Sequence, residues 1–145
     1  FAEVGTELAG DDAGIYTCDL FHDDQPTPIH LRSGKAFVSV PYSLEMNDTI
    51  AYVVNKIEPR RYGQMLRDNF DRLYQEGETS GTVMCIPTHN YQVSCPHRLR
   101  AFEEALEYIT GHSEVWVTTG REIARHFIDH YYQQCADDIA TRGVG

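Results

Sequence analysis

The sequence predicts an α/β fold, in which short strands alternate with helices along the chain. Apolar runs rich in β-branched residues predict the strands, and longer segments with apolar residues every three to four positions predict the helices. This alternation is typical of parallel strands with helices packed outside them. The predicted strands lie near residues 15–18, 36–40, 82–86 and 115–117, and the predicted helices near 62–75, 98–110 and 120–133.

Length and charge limit the class of protein. The 145 residues allow one domain at most. The formal net charge of −10 at pH 7 argues against a surface for nucleic acids, because contacts to phosphates need patches of Lys and Arg. The chain has no apolar run of membrane-spanning length and no signal-peptide pattern, so no membrane partner is expected.

Cysteine usage indicates the redox setting. The four cysteines form no CxxC pair, and Cys18 and Cys85 lie in strand-like runs. Buried thiols are therefore expected rather than a disulfide framework. This usage favours a reducing, cytoplasmic location.

The first predicted strand, near 15–18, leads into an acidic loop that contains Asp24. A solvated turn is the ordinary interpretation of such a loop. The other interpretation is that a loop at a strand end lines a pocket. A hairpin is predicted next, with its turn at residues 33–35 between the apolar segments 29–31 and 36–38.

The strand near 36–40 is followed by a cluster of polar residues. Glu45, Asn47 and Asp48 lie within four residues of one another. A carboxylate at the end of a buried strand can hydrogen-bond a catalytic partner or hold a substrate hydroxyl or amide. The alternative is that Asn47 or Asp48 caps a helix that starts near Thr49. Both interpretations stay open.

The most informative stretch is Gly81–Arg98. It begins as an apolar run, which we expect to be a strand buried on both faces, and it stops at Pro87. His89 then stands at the C-terminal end of this strand, where α/β folds bind ligands and place their chemistry. His89 either only caps the loop or acts as a general acid, because imidazole exchanges a proton near neutral pH. Pro96 opens the next helix.

His126 and His130 lie four residues apart in the last predicted helix, as two ligands of a zinc site would. The glutamate of a metalloprotease motif is absent, and no third ligand is spaced nearby. An exposed helix face is therefore the preferred interpretation, and no metal is expected to bind this chain alone.

The segment GTVMCIPTHNYQVSCPHRLRAFEEALEYI resembles the last conserved segment of the polysaccharide deacetylase-like (NodB homology) superfamily, in particular its allantoinase-like and imidase-like branch. Further stretches agree in the same order, namely CDLFHDDQPTPI, VSVPYSLEMNDTIAY and VWVTTGREIARHF. The resemblance implies the C-terminal part of a distorted (β/α) barrel, with residues 1–145 as one portion of a single catalytic domain. Where the superfamily usually has Leu-His-Pro, this chain has Thr88-His89-Asn90.

The metal ligands of the superfamily, an aspartate and two histidines, lie in an N-terminal half that nothing in this chain matches. The resemblance therefore implies that any divalent metal, such as zinc, is held by that half. The N-terminal half is the main expected partner, as a second chain or another segment. Further copies in a homo-oligomer are also expected, because four short strands cannot close a barrel and leave edges unpaired.

The resemblance implies a hydrolase that acts on a C–N bond outside peptides, in an amide, an N-acetylated sugar or a cyclic amide. His89 would protonate the departing nitrogen, and Asp48 would orient it. The substrate-binding residues would be Asp24, Tyr42, Leu44, Glu45, Asn47 and Tyr91. The alternative is a non-catalytic binding module on a degenerate deacetylase-like scaffold. The loss of proline at Asn90 and the missing metal ligands favour this alternative.

Overall fold

The computed structural model describes residues 14–142, which fall into two compact units. The first unit contains the described residues up to Pro41 together with those from Thr118 onward. The second unit is Tyr42–Val117. The first unit holds a small sheet and the last two helices, and the second unit holds the remaining helices.

The sheet of the first unit is built around its third strand. The strands are β1 (Tyr16–Thr17), β2 (Thr27–Pro28) and β3 (Val38–Ser39), in the order β1-β3-β2. β1 runs parallel to β3, and β2 runs antiparallel to it. Further main-chain bonds extend the pairing, with Val38 N–H donating to Ile15 at 2.9 Å. The parallel pairing and the strands near 15–18 and 36–40 agree with the sequence.

The predicted hairpin forms, with its first strand displaced. Ile29 N–H donates to the Phe37 carbonyl at 2.8 Å, and Gly34 N–H closes the turn to Leu31 at 3.0 Å. Gly34 has φ +73°, a left-handed conformation that a side chain would strain. The strand itself is Thr27–Pro28 rather than residues 29–31, because this register places it opposite β3. Proline is tolerated there because β2 is an edge strand.

Two helices complete the first unit, where the sequence predicted one over 120–133. These are α4 (Gly120–His130) and α5 (Tyr132–Arg142). The chain leaves the helical conformation at Tyr131, which has φ −130°. The Tyr132 hydroxyl donates to the Ile29 carbonyl at 3.2 Å, a long-range contact that a helical pattern does not reveal. The core of the unit joins β3 to α4 through Val38, Val40, Ala124 and Phe127.

The second unit is organised by two packed helices, α1 (Pro59–Glu76) and α3 (Pro96–Thr110). α1 begins three residues earlier than predicted, whereas α3 begins at Pro96, the residue that the sequence indicated. Both have proline in the first turn, where a missing N–H costs nothing. Their backbones approach closely at Gly63, because a Cβ added there would lie 2.7 Å from the Ala101 carbonyl oxygen. The buried core comprises Met46, Ala51, Tyr52, Tyr62, Leu66 and Ala105.

Two shorter helices lie in the second unit. A π-helix spans Ile50–Val54, and α2 spans Asn90–Val93. π-Helical turns are rare and are frequent at functional sites. The π-helix follows the predicted polar cluster, and α2 follows the predicted histidine, so both lie beside the candidate site.

The strands predicted near 82–86 and 115–117 do not form within residues 14–142. The first segment is half-buried rather than buried on both faces, although Met84 and Ile86 pack against the core of the second unit. Trp116 and Val117 are 58% and 72% exposed, so the second segment is not buried. An apolar, β-branched run indicates only a preference for extended backbone. A strand also needs a hydrogen-bonded neighbour.

The four cysteines are free thiols, as the sequence predicted, but each is half-buried rather than buried. Among the described residues, no helix has both the length and the apolar character needed to cross a bilayer.

Candidate active site

Asp48 and His89 form a two-point contact at the centre of the candidate site. One oxygen of the Asp48 carboxylate, Oδ2, accepts the main-chain N–H of His89 at 2.7 Å. The other oxygen, Oδ1, lies 2.7 Å from Nδ1 of the His89 ring. The same carboxylate therefore holds both the main chain and the side chain of the histidine.

The segment that carries Asp48 is fixed from both sides. Asp48 N–H donates to the Pro87 carbonyl at 3.2 Å, which ties the segment to the residues before His89. The Asn47 side-chain oxygen accepts the N–H groups of Thr49 and Ile50, at 2.9 and 3.2 Å. This arrangement confirms the predicted helix cap, since a cap accepts the N–H groups that the first turn leaves unpaired. Asp48 thus holds His89 while Asn47 caps the turn.

The two members of the pair differ in exposure, which gives the site a direction. The Asp48 side chain is 0% exposed, whereas that of His89 is 38% exposed. Because Nδ1 faces the carboxylate, Nε2 is the ring nitrogen left to exchange a proton with a ligand. Thr49 Oγ1 also lies 3.1 Å from Nδ1. The arrangement suits a general acid or base whose inner nitrogen is held and whose outer nitrogen reaches solvent.

Three predicted substrate-binding residues are exposed in the second unit, and one of them, Tyr91, lies beside His89. The Tyr91 ring lies 5.3 Å from the His89 ring, centroid to centroid, and Tyr91 is 67% exposed. Leu44 is 45% exposed, and Glu45 is also exposed. These three side chains are therefore accessible to a ligand.

The remaining predicted residues have other surroundings. Asn47 donates from Nδ2 to the Tyr42 hydroxyl at 2.7 Å, so both ends of its amide are engaged within the protein. Asp24 is exposed and belongs to the first unit, whereas the Asp48–His89 pair belongs to the second unit. Contact of Tyr42, Asn47 or Asp24 with a substrate stays a prediction.

Two buried tyrosines that the sequence did not single out lie in the same unit. Tyr62 donates its hydroxyl to the Met46 carbonyl at 2.7 Å and so holds the segment before Asp48. Burial, together with the nearby Asp48 charge, raises the pKa of Tyr62 well above its ordinary value. Burial raises the pKa of Tyr52 to about 12, although the Arg98 charge opposes this rise. Both phenols therefore stay neutral at physiological pH.

Arg98 was also missed, and it contacts two elements of the site. Its guanidinium lies over the Tyr52 ring, 4.4 Å from the centroid. Its Nη1 donates to the side-chain oxygen of Gln92 at 2.5 Å and to the Gln92 carbonyl at 3.3 Å. No local sequence pattern predicts this contact, because Tyr52, Gln92 and Arg98 are brought together only by the fold.

The described residues do not fit a metal centre. Among residues 14–142, no group of three or more His, Cys, Asp or Glu side chains is arranged to hold a metal ion. Both oxygens of Asp48 contact His89. On α4, the His126 and His130 rings lie 4.4 Å apart, and His130 Nδ1 lies 2.8 Å from the His126 carbonyl oxygen.

The chain is similar to known deacetylases and to an allantoinase. The peptidoglycan deacetylase of Helicobacter pylori is 25% identical over 160 residues, which cover 88% of this chain and 54% of the relative. Two solved structures, Puue allantoinase and a probable polysaccharide deacetylase from Pseudomonas aeruginosa PAO1, match with TM-scores of 0.76 and 0.75. Their sequences are 31% and 30% identical to this chain, over 81% of its length. The chain is therefore similar in sequence and in structure to members of the polysaccharide deacetylase-like superfamily.

The chain matches only part of these superfamily members. It spans about half the length of the curated relative and 39–40% of the two solved chains. No protein-family model matches the chain. The similarity of its α/β structure to a deacetylase and an allantoinase confirms the resemblance predicted from the sequence.

Proposed function

We propose that this chain contributes to the hydrolysis of a C–N bond outside peptides, in an amide, an N-acetyl group or a cyclic amide. The observation that carries the proposal is the Asp48–His89 pair, with its buried carboxylate and accessible ring. The names of the similar proteins support it, since they are a peptidoglycan deacetylase, a probable polysaccharide deacetylase and an allantoinase.

The reaction adds water across the C–N bond, placing oxygen on the carbonyl carbon and hydrogen on the nitrogen. The departing nitrogen is a poor leaving group as an anion, so it needs a proton in the transition state. His89 would donate that proton from Nε2. Asp48 would stabilise the charged ring from the Nδ1 side and keep the ring in one orientation, as a buried carboxylate does in serine hydrolases.

The walls of the substrate pocket follow from the exposed neighbours of the pair. Tyr91 offers an aromatic face beside His89, and aromatic faces pack well on flat or sugar-like groups. Leu44 and Glu45, which are exposed in the same unit, would add an apolar contact and a polar contact. Tyr42, Asn47 and Asp24 would also bind substrate, as the resemblance implies.

We further propose that the chain forms the C-terminal part of a distorted (β/α) barrel. The segments near 82–86 and 115–117 support this proposal, since both have strand-like sequences and lack strand neighbours among residues 14–142. The partner would be the rest of the domain, which would activate the attacking water and hold any divalent metal. No step here is assigned to a metal, because the described residues do not fit one.

The experiment replaces His89 with glutamine in the complete protein, with His97→Gln as the matched control. His97 is exposed in the first turn of α3, eight residues after His89. We expect kcat to fall by about 10²–10⁴ for His89→Gln, the usual contribution of a positioned acid or base. The control should change kcat little. Steady-state kinetics on a cyclic imide, allantoin and an acetylated sugar would measure both.

Two outcomes would contradict the proposal. If His89→Gln keeps full activity on the substrate that turns over, the proton comes from another group. If none of the substrate classes turns over while one of them binds, the chain serves as a binding module on this scaffold.

A further inference from the structure

Arg98 lies at a junction between two elements that the site depends on. It belongs to the first turns of α3 and is half-buried. Its guanidinium covers the ring of Tyr52, which lies in the π-helix, and donates to Gln92, which lies in α2. One side chain therefore contacts both short helices.

Each of these helices directly follows one member of the Asp48–His89 pair. The π-helix begins at Ile50, two residues after Asp48. α2 begins at Asn90, the residue after His89, and Gln92 N–H donates to the His89 carbonyl at 2.8 Å. A displacement of either helix would therefore move one partner of the 2.7 Å contact relative to the other.

We propose that Arg98 is a positioning residue that holds the Asp48 segment and the His89 segment in register. The expected effect of Arg98 on catalysis rests on the proposed function, whereas its effect on the Asp48–His89 contact does not. The geometry suits arginine in particular, because a planar guanidinium can stack on a ring and donate in its own plane at once. A lysine ammonium would keep the charge and lose this combination.

The electrostatics of the junction point in the same direction. The charges of Arg98 and Asp48 both act on Tyr52, Arg98 lowering the pKa of its phenol and Asp48 raising it. The Arg98 guanidinium and the Asp48 carboxylate thus have opposite effects on the pKa of the same phenol, Tyr52.

The first readout is the His89 ring itself, observed without substrate. A ring N–H held by a carboxylate exchanges slowly and gives a downfield proton signal, which ¹⁵N-histidine labelling of the complete protein would reveal. The signal is assigned by its loss in His89→Gln. We expect Arg98→Gln and Arg98→Lys to broaden or remove it. Arg100→Gln is the matched control, since Arg100 lies on the same helix in an exposed ion pair with Glu104.

The second readout is kinetic. In the Arg98 variants kcat should fall about 10–100-fold with KM little changed, the scale on which a small misplacement of a reacting group acts. Arg100→Gln should retain kcat. Thermal melts would show which variants are folded. Should Arg98→Gln fail to fold, Arg98→Lys and Gln92→Ala test the positioning role instead, since lysine and alanine are both good helix formers.

The outcomes separate this inference from the proposed function. An unchanged ring signal in folded Arg98→Gln and Arg98→Lys overturns the positioning role, whatever the activity. Loss of the signal in these variants, with full activity in His89→Gln, supports the positioning role and overturns the proposed function. Absence of the signal in the unaltered protein overturns both, because the Asp48–His89 bond would then not exist.

Discussion

The two units hold their strand-like segments in place in different ways. In the first unit, main-chain bonds to neighbours on both sides hold β3, and Val38 and Val40 are almost fully buried. In the second unit, the comparable apolar segment near 82–86 forms no strand and is half-buried. Its C-terminal end is held by one main-chain bond, from Asp48 to Pro87, and by the Asp48 carboxylate, which accepts the His89 N–H and contacts the His89 ring.

This difference separates stability from function within the chain. Where the backbone supplies the hydrogen bonds, apolar packing decides the cost of a substitution. Where side chains supply them, the loss of a single polar atom can displace a whole segment. The second kind of construction leaves polar groups at a segment end, which is what a reactive site requires.

The comparison assumes that each unit has a packed apolar core, and core substitutions test this assumption. Phe127 in the first unit and Phe70 in the second are 6% and 5% exposed. We therefore expect Phe127→Ala and Phe70→Ala each to lower the free energy of unfolding by about 3–5 kcal/mol, as large-to-small core changes do. Chemical denaturation of both variants would measure this. A cost below about 1 kcal/mol at either site would show that its unit has no packed core of its own.

A smaller effect should distinguish β3 from the segment near 82–86. Val38 is 0% exposed, whereas Val83 is half-buried. Val38→Ala should cost about 1–3 kcal/mol of stability, since it removes two buried methyl groups from a packed strand. Val83→Ala should cost less than about 1 kcal/mol, because a partly exposed side chain loses less buried area. Equal costs would mean that the segment near 82–86 is buried in the complete protein.

A matched pair of tyrosines tests the role of polar atoms in the second unit. The Tyr62 and Tyr52 rings lie 5.0 Å apart, and both side chains are buried. Tyr62→Phe should cost about 1–3 kcal/mol, because it leaves the buried Met46 carbonyl unpaired. The Tyr52 hydroxyl is buried and has no hydrogen-bond partner among the described residues, so Tyr52→Phe should not lower stability. The reverse order in thermal melts would contradict this assignment.

The last effect is confined to alkaline pH. The folded pKa of Tyr52 is raised to about 12 from 10.0, so the unfolded chain loses this proton first as the pH rises. Stability should therefore fall as the pH rises from about 10 to 12, and the contribution is fully present below pH 10. Tyr52→Phe should flatten this decline without lowering stability at neutral pH. An unchanged slope in pH-dependent denaturation would show that Tyr52 ionises freely in the fold.

The two long helices of the second unit were predictable, and half of the predicted strands do not form. A helix satisfies its own backbone, so the apolar spacing in residues 62–75 and 98–110 was enough to locate α1 and α3. A strand depends on a neighbour that its own residues do not specify. The segments near 82–86 and 115–117 have suitable composition and lack that neighbour within residues 14–142.

The candidate site divides in a similar way. Asp48 and His89 were predictable because each follows a strand-like run and matches a stretch of the superfamily. Their mutual bond was not, because 41 positions separate them in the chain. The supporting residues Tyr52, Tyr62 and Arg98 lack any local signal, since their roles depend on which segments the fold brings together. Asn47 was foreseen as a cap, since capping is local chemistry.

Both Asp48 oxygens face nitrogen atoms of His89. Replacement of Asp48 by asparagine would therefore change the proton arrangement of the site. Asparagine has nearly the same shape, but its amide has one accepting oxygen and one donating nitrogen. With its oxygen on the His89 main chain, its nitrogen would face Nδ1 and donate to it. The neutral imidazole would then carry its hydrogen on Nε2, the opposite tautomer. Asp48→Asn would therefore preserve the shape of the site while reversing which ring nitrogen holds the proton.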